Sequence, residues 1–155
     1  MTTGLDVFDR TVQESNLWLK DLMARLNTKD RHHAYSALRA SLHALRDRIG
    51  PQHAAQLGAQ LPMLLRGLFY EGWHMSGTPT KERHEYDFIQ RVREAVPDQD
   101  EAEVRRGICA ALDLLSGRID RGEAIKLVHL FPQELRELWP RIIREAAQER
   151  ETHAR

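Results

Sequence analysis

The sequence predicts an all-helical protein of about eight helices, built from two copies of a four-helix unit. Apolar residues recur every three or four positions along nearly the whole chain, and no stretch shows the period of two that is typical of a strand. Residues 34–69 also match residues 104–139, 70 positions later, without a gap. We therefore expect positions shared by the two copies to serve the fold, and polar positions found in only one copy to serve function.

Length and composition fit one globular domain over residues 1–155, with internal repeats at about 5–73 and 81–143. Of the 155 residues, 41% are hydrophobic and 30% are charged, and the formal net charge is zero. A zero net charge supplies no overall field that would attract nucleic acid or a membrane. The single cysteine, Cys109, rules out an intramolecular disulfide. With no signal-peptide pattern and no long apolar run, we expect a cytoplasmic protein without a membrane partner.

Helix-start and helix-stop residues place four helices in the first half, over about 5–26, 29–49 and 52–60, and from 62 to about 70 or 73. Asn27 or Thr28 is expected to cap the second helix. Gly50 and Pro51 end that helix, and Pro62 opens the fourth because a first helical turn needs no N–H there. The apolar residues of the first helix that are expected to face the core are Val7, Phe8, Val12, Leu19, Leu22 and Leu26.

The second half repeats this scheme after a connecting segment at 74–80. Helices are expected over 81–96 and 99–119, followed by a short helix, one opened by Pro132, and a final helix from 141. Asp98 with Glu101 has the spacing of a capping box, and so does Asp120 with Glu123.

Two stretches of the first half resemble a known family. The first reads ALRASLHALRDRI over residues 37–49, and the second reads AQLPMLLRGLFYEGW over residues 59–73. Both are similar to the bacterial domain-of-unknown-function family numbered 2267, and the likeness extends over nearly the whole chain. The resemblance implies a small, all-helical, cytoplasmic bacterial protein and implies no activity. A globin-like packing of the helices would be compatible with it.

Comparison of the two halves divides the charged residues into two groups. Arg48 corresponds to Arg118 and Arg66 to Arg136, so we interpret these pairs as structural, with contacts to the carbonyls at helix ends. Four polar residues of the second helix have no such counterpart: Arg39, His43, Arg46 and Asp47.

Those four residues are spaced to lie close together on one helix surface. Arg39, His43 and Arg46 stand at positions i, i+4 and i+7, and Asp47 follows His43 by four. An imidazole beside a carboxylate suits general-base chemistry, and arginines bind anions. The same spacing is also typical of a solvated, ion-paired helix surface. A second candidate cluster is Tyr70, Glu71 and Trp73, whose aromatic rings suit a binding surface or the cover of a hinge.

These seven residues support two main hypotheses. The first is a non-enzymatic module that binds another protein or a second copy of itself through the Tyr70–Trp73 region and the basic surface of the second helix. The alternative is a small-ligand or enzymatic site around His43, Asp47, Arg39 and Arg46. Nucleic-acid binding through Arg39 and Arg46 is a third, weaker alternative, since no recognition motif accompanies them. The eight histidines form no metal-binding motif, and we expect no metal or other cofactor.

Overall fold

The computed structural model describes residues 2–154, and these form eight α-helices and one 3-10 helix, with no strand among them. The α-helices are α1 (Asp6–Leu26), α2 (Arg31–Ile49), α3 (Pro51–Gly58), α4 (Met63–Tyr70), α5 (Glu85–Arg93), α6 (Glu101–Arg118), α7 (Arg121–Leu130) and α8 (Arg141–His153). The 3-10 helix, Gln133–Leu138, lies between α7 and α8. The all-helical prediction is therefore confirmed. The internal repeat remains a prediction.

Helices α2 and α6 pack against each other and form the centre of the protein. Gly107 of α6 allows a close approach, because a Cβ atom there would lie 3.3 Å from the Cβ of Ala37. The apolar stripes of both helices are buried, as their spacing predicts: Leu38, Leu42 and Leu45 in α2, and Ile108, Leu112 and Leu115 in α6. Removing these side chains from water supplies the main driving force for packing the two helices.

The remaining helices surround this central pair. α1 and α5 each contact both α2 and α6, while α7 packs on α8. α4 lies beside α1 and α2. The end of α4 meets the polar residues of α2, and its side faces α1.

The start of α2 differs from the prediction. Asp30 caps this helix, and its carboxylate accepts from the backbone N–H groups of His32 and His33. Asn27 instead ends α1 in the left-handed conformation, with φ of 51°. An asparagine tolerates that conformation better than most residues, so it closes one helix rather than opening the next.

The start of α6 also lies two residues later than predicted. The chain turns at 96–99, where the Gln99 N–H donates to the Val96 carbonyl at 3.0 Å. Asp98 consequently caps nothing, and Asp100 accepts from the Glu103 N–H instead. The predicted cap at α7 is confirmed, since the Asp120 carboxylate accepts from the Glu123 N–H.

The first half of α1 does not face the core, which corrects the prediction for three residues. Val7, Phe8 and Val12 remain 53%, 53% and 49% exposed, whereas Leu22 in the second half of the helix is buried. The early turns of α1 lie beside α4, and the Leu64 N–H donates to the Thr11 hydroxyl at 2.8 Å. The apolar stripe of α1 thus runs from the core onto the surface.

Candidate functional site

Arg46 lies at the centre of the predicted cluster and is only 4% exposed. Its Nη1 donates to the carbonyl of Phe69 at 2.9 Å and to that of Glu71 at 3.0 Å. The last carbonyls of a helix have no partner within the helix, so a buried guanidinium is well suited to satisfy them. Its Nε donates to Asp47 Oδ1 at 2.8 Å. Arg46 therefore fixes the end of α4 against α2.

His43 also contacts the end of α4, and it lies one turn before Arg46 in α2. Its Nε2 lies 2.7 Å from the carbonyl oxygen of Leu68, and because a carbonyl only accepts, Nε2 carries the proton. Burial lowers the pKa of His43, and the nearby Arg46 and Arg39 charges add to this effect, while the Leu68 carbonyl opposes it. The imidazole is consequently neutral at neutral pH.

The imidazole–carboxylate pair needed for general-base chemistry does not form between His43 and Asp47. The Asp47 carboxylate bonds to the Arg46 guanidinium, through Nε at 2.8 Å and Nη2 at 3.3 Å. The Nε2–H of His43 is directed to the main chain. In this arrangement both side chains make contacts that stabilise the fold.

The other four candidates complete the same cluster. Arg39 and Glu71 form an exposed ion pair, with 3.4 Å between Nη2 and Oε1. The rings of Tyr70 and Trp73 stack, with centroids 5.4 Å apart and planes 11° apart. The Arg46 guanidinium carbon lies 6.0 Å from the centroid of the Trp73 ring. The structure thus brings all seven sequence-predicted residues together around the end of α4.

Tyr70 also contacts α3, and Gly58 makes room for it. The Tyr70 hydroxyl lies 3.5 Å from the carbonyl oxygens of Ala54 and Ala55. A Cβ atom at Gly58 would lie 2.1 Å from the Tyr70 oxygen, so no larger residue fits without moving the ring. Tyr70 therefore links α3, α4 and the stacked Trp73.

The two arginines Arg66 and Arg136 have equivalent contacts, as predicted from their retention in both halves. Arg66 Nε donates to the carbonyl of Gly58 at 2.8 Å, at the end of α3. Arg136 Nε donates to the carbonyl of Phe131 at 2.8 Å, just after α7. Each guanidinium satisfies carbonyls where the preceding helix ends, which is a structural role.

The other retained pair, Arg48 and Arg118, differs from the prediction. Arg48 donates to the carbonyl of Glu82, which lies before α5. Arg118 pairs with Asp21 of α1. Within residues 2–154, neither of these two guanidinium groups therefore contacts a helix-end carbonyl.

A groove that the sequence did not predict lies on the other side of α4. It has a volume of about 620 Å³ and is bounded by α1, α2 and α4. Its lining is mostly apolar and includes Val12, Leu19, Leu38, Leu64, Leu65 and Leu68. Leu38 lies at its base, while Leu64 remains 52% exposed at its edge. A cavity of this size is within the range of binding pockets.

On the side of the groove that α4 forms, there is open space at Gly67. No atom lies within 4 Å of the place where a Cβ of Gly67 would stand. Arg31 and Asn16 lie at the rim, with 2.5 Å between Arg31 Nη2 and Asn16 Oδ1. Glu71 also lines the groove, and it is the one member of the seven-residue cluster that does so.

Exposed apolar side chains extend the groove along α1 and α4. Leu5, Val7, Phe8, Met63 and Tyr35 are each between 40% and 54% exposed. These residues stand on the helices that bound the groove or, for Leu5, directly before α1. We call the groove together with these five exposed side chains the α1–α4 surface.

Cys109 is a free cysteine, and its side chain is partly buried. Burial raises the pKa of the Cys109 thiol, which disfavours the nucleophilic thiolate. Within residues 2–154, no three His, Cys, Asp or Glu side chains stand close enough to hold a metal ion.

Comparison with known proteins gives a family and no activity. The family model described as "Uncharacterized conserved protein (DUF2267)" matches residues 15–138. No curated protein matches the chain. None of the helices between residues 2 and 154 has both the length and the apolar character needed to cross a membrane.

Proposed function

The chain belongs to the DUF2267 family of uncharacterised conserved proteins, and we propose that it is a non-enzymatic interaction module that associates with a second copy of itself through the α1–α4 surface. The observation that carries the proposal is the open, mostly apolar groove of about 620 Å³, bounded by helices that also carry exposed apolar side chains. Burial of such a surface by a protein partner is favourable, at about 25 cal/mol per Å² of apolar area.

A twofold-symmetric contact brings the same surface of both copies together, so one part of the α1–α4 surface would have to fit another part of it. The exposed side chains of Leu5 and Phe8, at the start of α1, would supply a ridge, and the groove lies one to three turns further along the same helix. An antiparallel pair of α1 helices, crossing near Val12, would place the ridge of each copy over the groove of the other.

Charges at the edges of the surface match this antiparallel arrangement. Asp6 and Asp9 lie in the first turn of α1, while Arg31 lies beside Asn16, two turns further along. Two copies crossing near Val12 would bring Asp9 of each close to Arg31 of the other. Opposite charges at an interface rim favour one orientation over others.

The contacts of His43, Asp47 and Arg46 do not support the alternative of a catalytic site. Their side chains are bonded to one another or to the end of α4. Arg46 is buried, so it is not available to contact phosphates of a nucleic acid. The cluster instead holds α4 in the orientation that keeps the groove open.

The test is the oligomeric state, measured by sedimentation equilibrium over a range of protein concentrations. We expect the wild-type chain to form dimers. Phe8→Gln removes the ridge, and Gly67→Lys places a long charged side chain in the open space of the groove. Each variant should weaken dimerisation about tenfold or more, because it removes or obstructs a central apolar contact.

The variants are chosen so that a loss of dimerisation is not the result of unfolding. Phe8 is half exposed in the monomer, and Gly→Lys inside a helix favours helix formation, so both variants should stay folded. Ile142→Gln is the matched control, because Ile142 is 71% exposed on α8, outside the α1–α4 surface. A wild-type chain that stays monomeric, or equal dimerisation of all four proteins, would contradict the proposal.

One further outcome also decides against self-association. If the wild-type chain is monomeric and an apolar dye such as anilinonaphthalene sulfonate binds it at one site that Gly67→Lys blocks, the groove is a small-ligand site.

A further inference from the structure

A second pocket, of about 540 Å³, lies where the end of α2 meets the segment at 77–83. Three cationic side chains line it, those of Arg48, Lys81 and Arg83, together with Thr78 and Thr80. No carboxylate of the described residues lines it. The pocket is therefore a concentration of positive charge in a protein whose net charge is zero.

None of the three cations in this pocket forms an ion pair within residues 2–154. Arg48 is half-buried, and its one hydrogen bond within residues 2–154 runs from Nε to the carbonyl of Glu82 at 3.1 Å. The Glu82 carboxylate is paired with Arg91 instead. Burial lowers the pKa of Arg48, and although the Glu82 charge opposes this, the nearby Arg83 lowers the pKa further. An anion in the pocket would relieve the repulsion between the two guanidinium groups.

The segment that lines the pocket is hydrogen-bonded to the end of α2 and packs against it. The Thr80 N–H donates to the carbonyl of Asp47 at 2.8 Å. Pro79 packs on Gly50, where an added Cβ would lie 3.2 Å from the proline Cδ. Gly50 has φ of 84°, a conformation that favours glycine. The segment at 77–83 and Arg48 thus keep a defined relative position.

We propose that this pocket binds a phosphate group carried by a small molecule. Guanidinium groups form paired hydrogen bonds with phosphate oxygens, and an ammonium group adds a point charge. Two arginines and one lysine carry three positive charges, enough to neutralise the charge of about −2 of a phosphate monoester. The volume exceeds what one phosphate fills, which leaves room for the group to which it is attached.

The test is an NMR titration of the ¹⁵N-labelled protein with pyrophosphate at constant ionic strength. We expect saturable shifts of the amide signals of residues 77–83 and of Arg48. The double variant Lys81→Gln/Arg83→Gln removes two exposed cations and should weaken pyrophosphate binding about tenfold or more. Because both side chains are exposed, the fold should be unchanged.

A matched control removes the same charge elsewhere. Arg10→Gln/Lys20→Gln neutralises two exposed cations of α1, far along the chain from the pocket, and should leave pyrophosphate affinity unchanged. Equal weakening in both double variants, or shifts spread over all basic surfaces without saturation, would overturn the proposal. Tighter binding of a single-stranded oligonucleotide than of pyrophosphate at the same residues would overturn the assignment to a small molecule.

Discussion

The guanidinium of Arg46 in α2 donates to the main-chain carbonyl of Phe69 in α4 over 2.9 Å, and both residues are buried. Since water cannot replace a partner at this depth, the contact holds the two helices at a fixed angle. That angle determines where α4 stands relative to α1, and thus the width of the groove between them.

The first prediction concerns the stability that Arg46 supplies. Arg46→Met should lower the free energy of unfolding by about 2–4 kcal/mol, because the carbonyls of Phe69 and Glu71 lose their donor and Asp47 loses its partner. Urea denaturation followed by circular dichroism measures this. Arg39→Met is the control, and its exposed ion pair with Glu71 should be worth less than about 1 kcal/mol. Similar losses in both variants would show that Arg46 is not the residue that fixes α4.

The second prediction is a pH dependence that comes from His43. Burial lowers its pKa in the folded protein, so the unfolded chain binds a proton more readily than the folded one. Stability from this residue is therefore fully present above the ordinary histidine pKa of about 6.5 and is lost as the pH falls below it. Melting temperatures measured from about pH 7.5 down to about pH 5.5 should fall less steeply for His43→Gln than for wild type.

His74 provides the control for this pH dependence. It lies exposed in the segment between α4 and α5, so His74→Gln should keep the wild-type profile. A His43→Gln profile parallel to that of wild type would mean that His43 does not contribute to the acid sensitivity.

The sequence predicted the fold more fully than the site. Helical periodicity and turn residues located the helices, and the alignment of Arg66 with Arg136 identified two arginines that close helix ends. Periodicity could not show where along α1 the core ends, because Phe8 and Leu22 belong to one continuous apolar stripe. That boundary depends on the position of α4, which is set by tertiary contacts.

Spacing also placed the polar residues of α2 together without revealing their partners. Arg46 and His43 donate to main-chain carbonyls, and every residue of the chain carries a carbonyl. Nothing in the side-chain sequence distinguishes the carbonyls of Leu68 and Phe69 from the others. These two carbonyls accept hydrogen bonds from His43 and Arg46 because the end of α4 faces α2 in the folded protein.

The third prediction concerns the reactivity of Cys109. Burial raises the pKa of its thiol, so the thiolate fraction at neutral pH should be lower than for free cysteine. The reaction of Cys109 with Ellman's reagent should be slower than that of glutathione at neutral pH. Its rate should rise with pH, and the midpoint of that rise should lie at a higher pH than for glutathione. Rapid labelling in the folded protein at neutral pH would contradict this expectation.

The fourth prediction compares the same substitution at two helical glycines, Gly58 and Gly67. Alanine favours a helix by about 0.5–1 kcal/mol over glycine, and at Gly67 the new methyl group meets no atom within 4 Å. Gly67→Ala should therefore stabilise the protein by about that amount. At Gly58 the methyl group would lie 2.1 Å from the Tyr70 hydroxyl oxygen and 2.6 Å from its ring carbon.

Relief of that overlap requires Tyr70 to move away from Trp73, on which it stacks. Displacing a packed aromatic ring costs about 1–3 kcal/mol, which outweighs the gain in helix propensity. Gly58→Ala should therefore lower the melting temperature, while Gly67→Ala raises it, and near-ultraviolet circular dichroism should change only for Gly58→Ala. A stabilising Gly58→Ala would mean that Tyr70 moves without cost, and then the Tyr70–Trp73 stack contributes little to holding α3 against α4.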